Sequence, residues 1–230
     1  MPVIAYIIVA IAAYLLGSIP TGFLVAKAKG IDIRAVGSGN IGATNAMRVL
    51  GKPAGIFVLL VDCAKGYVAC AFLPPLIYNW IDGLQLHFVM GMAQFFRDES
   101  VEVQIQYHLI AGIFAVLGHN YTCWLKFKGG KGVATTAGVY LALAPWALLI
   151  ALAVFILAVL VTRYACVGSI VAAIALPIAV WFTNEDLFLR IVTIALCVLA
   201  IYKHKSNIKR LMAGTESRLG KKSAPTECAK

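Results

Sequence analysis

The chain has 230 residues, 61% of them hydrophobic and only 13% charged, with a net charge of +10. A mean hydropathy of +0.88 excludes an ordinary soluble domain, which is nearer half apolar and a quarter charged. The basic excess does not point to nucleic acid. The charges sit at helix ends and in short loops, with no aromatic interleaving on a polar face, and fit the bias of Lys and Arg toward the cytoplasm. A smaller share is left to attract anionic headgroups or substrates.

Residues 3–26 form the first apolar run, long enough to cross a bilayer. Its start, MPVIAYIIVAIAAYLLG, lacks a basic leader and a cleavage site, so it reads as a retained helix and not as a signal peptide. A polar loop, 27–52, carries Lys27, Lys29, Arg34, Arg48 and Lys52. The second run, 53–77, contains Asp62 and Lys65, which are i, i+3 neighbours able to pair toward a bundle interior. This pair reads as structural. Residues 78–106 are acidic (Asp82, Asp98, Glu99, Glu102), and LQLHFVMGMAQFF within them is amphipathic enough to lie on a membrane face.

The third run, 107–124, is short and is followed by Lys126, Lys128 and Lys131. Pro145 and Arg163-Tyr164 divide the long block 132–182 into helices at 132–144, 146–162 and 165–182. The first of these is too short to span comfortably and reads as a half-helix packed against protein. An acidic turn at 183–186 leads to the last run, 187–202, then to KHKSNIKR and a Lys-rich tail.

The expected fold is therefore all-α and polytopic, with seven transmembrane helices in one domain, 1–230, and a polar tail from about 212. Alternation puts 27–52, 125–131, 163–164 and the tail on one side, with most of the basic residues, and the acidic segments on the other. That asymmetry orients the N-terminus outside and the C-terminus in the cytoplasm. Of the six cysteines, Cys63, Cys70, Cys166 and Cys197 fall in or beside apolar runs, and Cys123 and Cys228 on the cytoplasmic side. None has the spacing of a metal site, and they read as buried structural thiols.

Three unusual segments fall on the same expected face: GSGNIGATNAMR (37–48), GHNYTCWLKFKGGKGVATT (118–136) and KHKSNIKRLMAGTE (203–216). The first holds a G-x-G-x-x-G spacing but lies between membrane helices, without the strand, helix and parallel sheet that a dinucleotide fingerprint requires. Its glycines suit an anion-binding nest, with Ser38, Asn40, Thr44 and Asn45 as neutral partners and Arg48 as a planar fork for phosphate. In the second, Gly129-Gly130-Lys131-Gly132 is not a Walker A loop, because Gly132 stands where Ser or Thr is needed. Exposed glycine amides, the Lys131 charge and a helix start at Gly132 or Val133 still suit phosphate. In the third, His204 and Asn207 share a face if the last helix continues.

Two phosphate cradles on one face suggest two phosphorylated substrates. No H-x-x-x-x-D follows any histidine, and no G-x-S-x-G occurs, so a covalent triad is not expected. A phosphate carrier would use similar cradles but should show matched halves and more charge at mid-membrane. A scaffold without chemistry leaves the three segments unexplained.

GSGNIGATNAMR, FKGGKGVAT and HKSNIKRL-x-x-GTE closely resemble the three cytoplasmic motifs of the bacterial integral-membrane glycerol-3-phosphate acyltransferases that use acyl phosphate as donor. The likeness extends to GSIPTGFLVAK (17–27) and to Asp62-x-x-Lys65-Gly66. It implies seven transmembrane helices in the bacterial inner membrane and an active site on the cytoplasmic face. The implied partners are acyl phosphate, glycerol 3-phosphate and membrane lipid, with no cofactor or metal, and the products are lysophosphatidic acid and phosphate. By the same resemblance Ser38 and Arg48 are the essential residues of the first motif, Gly129–Gly132 belong to the glycerol-phosphate site, and His204 and Asn207 complete it. Three departures stand out. The segment between Gly66 and Gly118 is longer than in the family, Thr122 replaces a common Pro, and Cys166 stands where Ser is expected, although Ser169 keeps its place as a substrate contact.

Overall fold

The computed structural model describes residues 3–77, 80, 101–184 and 186–219, the side chains of 101–104 excepted. The described residues are helical, without a β-strand. The first apolar run is two helices, α1 (Val3–Ser18) and α2 (Thr21–Lys27). They are separated at Ile19-Pro20, where proline cannot continue the ladder. The break is repaired from a neighbour: the Lys65 ammonium donates to the Ile19 carbonyl at 2.8 Å. Broken backbone is tolerated inside a membrane only when it is satisfied in this way.

The loop read at 27–52 contains a helix, α3 (Ala43–Leu50), before α4 (Lys52–Ala71) begins. Next come α5 (Val101–Asn120) and a short 3₁₀ turn, Cys123–Leu125. Here the third run starts earlier than the 107 expected from hydropathy. The amphipathic surface segment and most of the acidic residues expected at 78–106 lie outside the described residues, as do the tail from 220 and Cys228.

The block after Lys131 divides as the sequence indicates, into α6 (Val133–Leu143), α7 (Pro145–Thr162) and α8 (Ala165–Thr183). Then α9 (Leu187–Lys203) ends at His204, and α10 (Lys205–Met212) leaves at an angle of 49°. The helix thus ends close to the 202 expected from sequence, and the chain continues through a bend, not as one straight helix. Four spans among the described residues are long and apolar enough to cross a membrane: 3–27, 52–71, 145–162 and 165–183. A fifth is counted if the bent pair from 187 is one span.

The half-helix expected at 132–144 does pack against protein. Val139 and Tyr140 of α6 are buried, and the Tyr140 hydroxyl donates to Thr193 of α9 at 2.6 Å. Small residues bring α4 and α6 close. A methyl group at Gly66 would fall 2.2 Å from the Thr135 carbonyl oxygen, and one at Gly138 1.9 Å from that of Cys63. Close backbone approach of this kind is how helices associate without a hydrophobic driving force. By contrast α7 buries only Ala147 and Ala151 and leaves Leu157, Leu160 and Val161 exposed, as a lipid-facing helix should.

Candidate active site

The basic ends of these helices converge around two cavities. The first, of about 140 Å³, is lined by Ser38, Asn40, Thr44, Asn45 and Arg48 of the first motif. Lys131 and Gly132 come from the second, His204, Asn207 and Glu216 from the third, and Cys166 and Ser169 from α8. Leu59 and Phe155 give it an apolar wall toward α4 and α7, and Asp62 and His119 form part of its lining. The second, of about 340 Å³, is lined by Gly129, Gly130, Tyr121 and Tyr202 and by the cations Lys131, Lys203, Lys205 and Arg210. Ser38, Asn40, Lys131 and Asn207 border both. All the residues expected from sequence therefore meet in one place, although Gly129 and Gly130 reach only the second cavity.

Local structure explains how each is held. Gly37 and Gly39 adopt φ of +65° and +70°, which L side chains rarely take, and the loop turns over Asn45. The Asn45 amide donates to the carbonyls of Ile33, Val36 and Asn40 at 3.2, 3.0 and 2.9 Å, and its Oδ1 accepts from the Ser38 N–H at 2.9 Å. Asn45 was expected as a ligand contact, but its polar atoms are taken up in shaping the loop. Asn40 accepts the Gly42 N–H in the same way.

The Gly-Gly-Lys-Gly turn departs from expectation in one respect. Its two leading N–H groups are taken up by neighbouring backbone. Gly130 N–H donates to the His119 carbonyl at 2.9 Å and Gly129 N–H to that of Asn120 at 3.3 Å. These glycines serve close approach, since a methyl group at Gly130 would fall 2.1 Å from His119 Nε2. Gly132, at φ +78°, starts α6 as expected. Thr122 has φ −63°, the angle proline would fix, and its hydroxyl donates to the Ser18 carbonyl at 2.6 Å. The departure from Pro therefore keeps the backbone and adds an anchor to α1.

Lys131 lies between the cavities, its ammonium donating to Asn207 Oδ1. Burial holds its pKa down, from 10.5 to about 8. His204 is buried at the bend, and its Nδ1 lies 2.8 Å from the Ala200 carbonyl. A carbonyl only accepts, so Nδ1 carries the proton and, in the neutral ring, Nε2 is left as an acceptor.

The third segment also offers Arg210 and Glu216, to which the sequence assigned no role; Glu216 lines the first cavity and Arg210 the second. The Glu216 carboxylate is buried among Arg210 Nε at 2.7 Å, Asn207 Nδ2 at 3.1 Å and Arg48 Nη2 at 3.7 Å. Arg48 also donates to the Ser217 carbonyl at 2.9 Å. Residues 213–219 thus cross from α10 to the α7–α8 turn, where Leu219 N–H meets the Arg163 carbonyl at 2.8 Å. Cys166, read as a structural thiol, is buried but borders the first cavity. Cys63 and Cys123 are only half-buried.

Residues 7–214 match the family model described as glycerol-3-phosphate acyltransferase. The glycerol-3-phosphate acyltransferase of Trichlorobacter lovleyi is 47% identical over 90% of this chain and 93% of its own, and that of Geobacter sulfurreducens 45% over 92% and 96%. Two crystal structures of PlsY, an integral membrane glycerol 3-phosphate acyltransferase, share the fold. The glycerol 3-phosphate form has a TM-score of 0.76 at 36% identity, covering 94% of this chain and 96% of that one. The lysophosphatidic acid form has a TM-score of 0.74 at 35% identity, covering 94% and 95%. Matched along nearly its whole length in both sequence and fold, the chain belongs to the integral-membrane glycerol-3-phosphate acyltransferase family.

Proposed function

We propose that the protein transfers a fatty acyl group from acyl phosphate to glycerol 3-phosphate, giving lysophosphatidic acid and inorganic phosphate. The observation that supports this most directly is the pair of cavities meeting at Ser38, Asn40, Lys131 and Asn207. One chamber is walled by cations and suits a small soluble dianion. The other is bordered by Leu59 and Phe155 and suits an acyl chain with its head at Ser38 and Arg48. Two anions can then lie side by side with the reacting atoms at the shared border. Alignment of this kind supplies about 7–11 kcal/mol of the barrier, and fixed donors add to it.

The donor is already a mixed anhydride, so no acyl-enzyme is required. The primary hydroxyl of glycerol 3-phosphate attacks the acyl carbonyl carbon, the bond from that carbon to the phosphate oxygen breaks, and hydrogen phosphate leaves with the hydroxyl proton. His204 Nε2 accepts the hydroxyl hydrogen bond and orients the nucleophile. Lys131 and Asn207 hold the acceptor phosphate. Arg48 and Ser38 hold the donor phosphate and the carbonyl, with Thr44 and Ser169 on the chamber wall. Asn40 and Asn45 keep the first loop in shape, and Gly129, Gly130 and Gly132 let the second lie close beneath the ligands.

The reading includes seven membrane passes in the bacterial inner membrane, and the distribution of basic residues supports an N-terminus outside and the reaction on the cytoplasmic face. Assay of purified protein with both substrates tests the chemistry. Phosphate release that depends on both compounds and falls in Arg48→Ala, Lys131→Ala and His204→Ala is the expected result. Wild-type turnover by all three variants overturns these assignments. Vectorial uptake of glycerol 3-phosphate in vesicles without phosphate release overturns the enzyme reading.

A further inference from the structure

The mechanism above makes no use of a charged cluster buried beneath the cavities. Asp62 is 2% exposed, Lys65 5% and His119 5%. A charged pair this deep in a span is costly, so its contacts should account for it. Lys65 has a structural task, since it caps the carbonyl freed at the α1–α2 break. Asp62 accepts from Thr21 Oγ1 at 3.1 Å and pairs with Lys65 at 2.8 Å. The same Oδ1 faces His119 Nδ1 at 3.6 Å. Both Asp62 and His119 border the first cavity.

His119 is where this cluster meets the site. Its ring edge lies so close beneath Gly130 that no Cβ fits there, and its carbonyl takes the Gly130 N–H. The next residue, Asn120, accepts both the Gly129 N–H and, at 2.9 Å, the Lys203 ammonium. Two backbone bonds therefore fix where the turn lies, and the imidazole sets how far it sits from α5. Lys131 follows Gly130 directly, so its ammonium, between the chambers, is carried by the same turn.

We propose that Asp62 is a positioning residue for the reaction. Acting through the imidazole of His119, it fixes the Gly129–Lys131 turn and so places the Lys131 ammonium against the acceptor phosphate. Lys65 neutralises the carboxylate and staples the helix break, but Asp62 is the member of the pair that faces the site. The proposal rests on the reading of Lys131 as a phosphate ligand given above.

The test uses full-length purified protein and kinetic cycles. Asp62→Asn alone strands a buried lysine, so the informative variant is Asp62→Asn/Lys65→Met, which removes both charges together. It is compared with Lys131→Ala and with the triple variant. The double variant should stay folded by size-exclusion chromatography and lose about tenfold in kcat/KM for glycerol 3-phosphate. The triple variant should be no worse than Lys131→Ala, within about twofold, because the effect of Asp62 passes through that lysine. His119→Gln leaves the ion pair intact and should reproduce both results, which covers failure of the double variant to fold. A wild-type kcat/KM in either variant, or losses that multiply in combination with Lys131→Ala, overturns the proposal. Full activity of Lys131→Ala instead removes the site assignment on which it rests.

Discussion

With Lys131 as the phosphate ligand of the proposed reaction, turnover should be sensitive to alkali in a way that can be calculated. Its pKa of about 8 comes chiefly from burial, and the charged form is lost as pH rises through that value. The free enzyme then has Lys131 about 90% charged at pH 7, half charged at pH 8 and about 10% charged at pH 9. A phosphate monoester has its second pKa near 6, so the acceptor stays dianionic throughout and does not blur the limb. With Lys131 needed as a cation, kcat/KM for glycerol 3-phosphate should fall about tenfold between pH 7 and 9. The fall should level off once the charge-assisted contact, worth about 1.5–3 kcal/mol, is fully lost. A bound dianion favours the ammonium, so the corresponding limb in kcat should lie at higher pH. The assay is phosphate release in detergent from pH 7 to 9.5, with enzyme-free hydrolysis of the donor subtracted. Lys131→Arg should remove the limb from whatever activity it retains, because guanidinium does not titrate in this range. A flat kcat/KM to pH 9.5, or an unchanged limb in Lys131→Arg, refutes the reasoning.

Three further outcomes follow from the packing. Glu216→Ala strips the carboxylate from Arg210 and Arg48, leaving Arg48 its bond to the Ser217 carbonyl. Because the Arg210 side chain is one-third exposed, the cost should fall at the low end for a broken buried pair, about 3 kcal/mol, seen as a lowered Tm together with reduced turnover. Gly138→Val drives a side chain into the α4 backbone at Cys63 and should cost at least about 1–3 kcal/mol, read as loss of monodisperse protein on extraction. Cys166→Ser restores the expected family residue at the first cavity with little change in volume. Turnover should stay within about threefold of wild type, and KM for the acyl donor is the parameter to follow.

Helix boundaries were legible where the chain carries its own punctuation. Pro145 and Arg163-Tyr164 divide the long apolar block as the structure does, because proline starts α7 and Arg163 takes a left-handed conformation at its end. The break at Ile19-Pro20 was hidden inside an unbroken apolar run, and the helix Ala43–Leu50 by the charges around it. The motifs showed which segments should gather, since glycines, lysine, histidine and asparagine keep their chemistry wherever they stand. What each group does with its hydrogen bonds was not legible. Asn45, Gly129 and Gly130 looked like ligand contacts, but the Asn45 amide and the two glycine N–H groups are spent on neighbouring backbone. Glu216 joins the site only because the chain folds back after Gly214, and His119 only because α5 ends beneath the glycine turn.

The segment that returns across Arg48 also has a consequence for the order of biogenesis. Arg48 emerges from the ribosome early, while Glu216, Ser217 and Leu219 emerge after every span described above. The chamber around Arg48 is therefore finished only when insertion into the bilayer is all but complete, and a nascent chain stalled before residue 216 would hold its helices with that wall still missing.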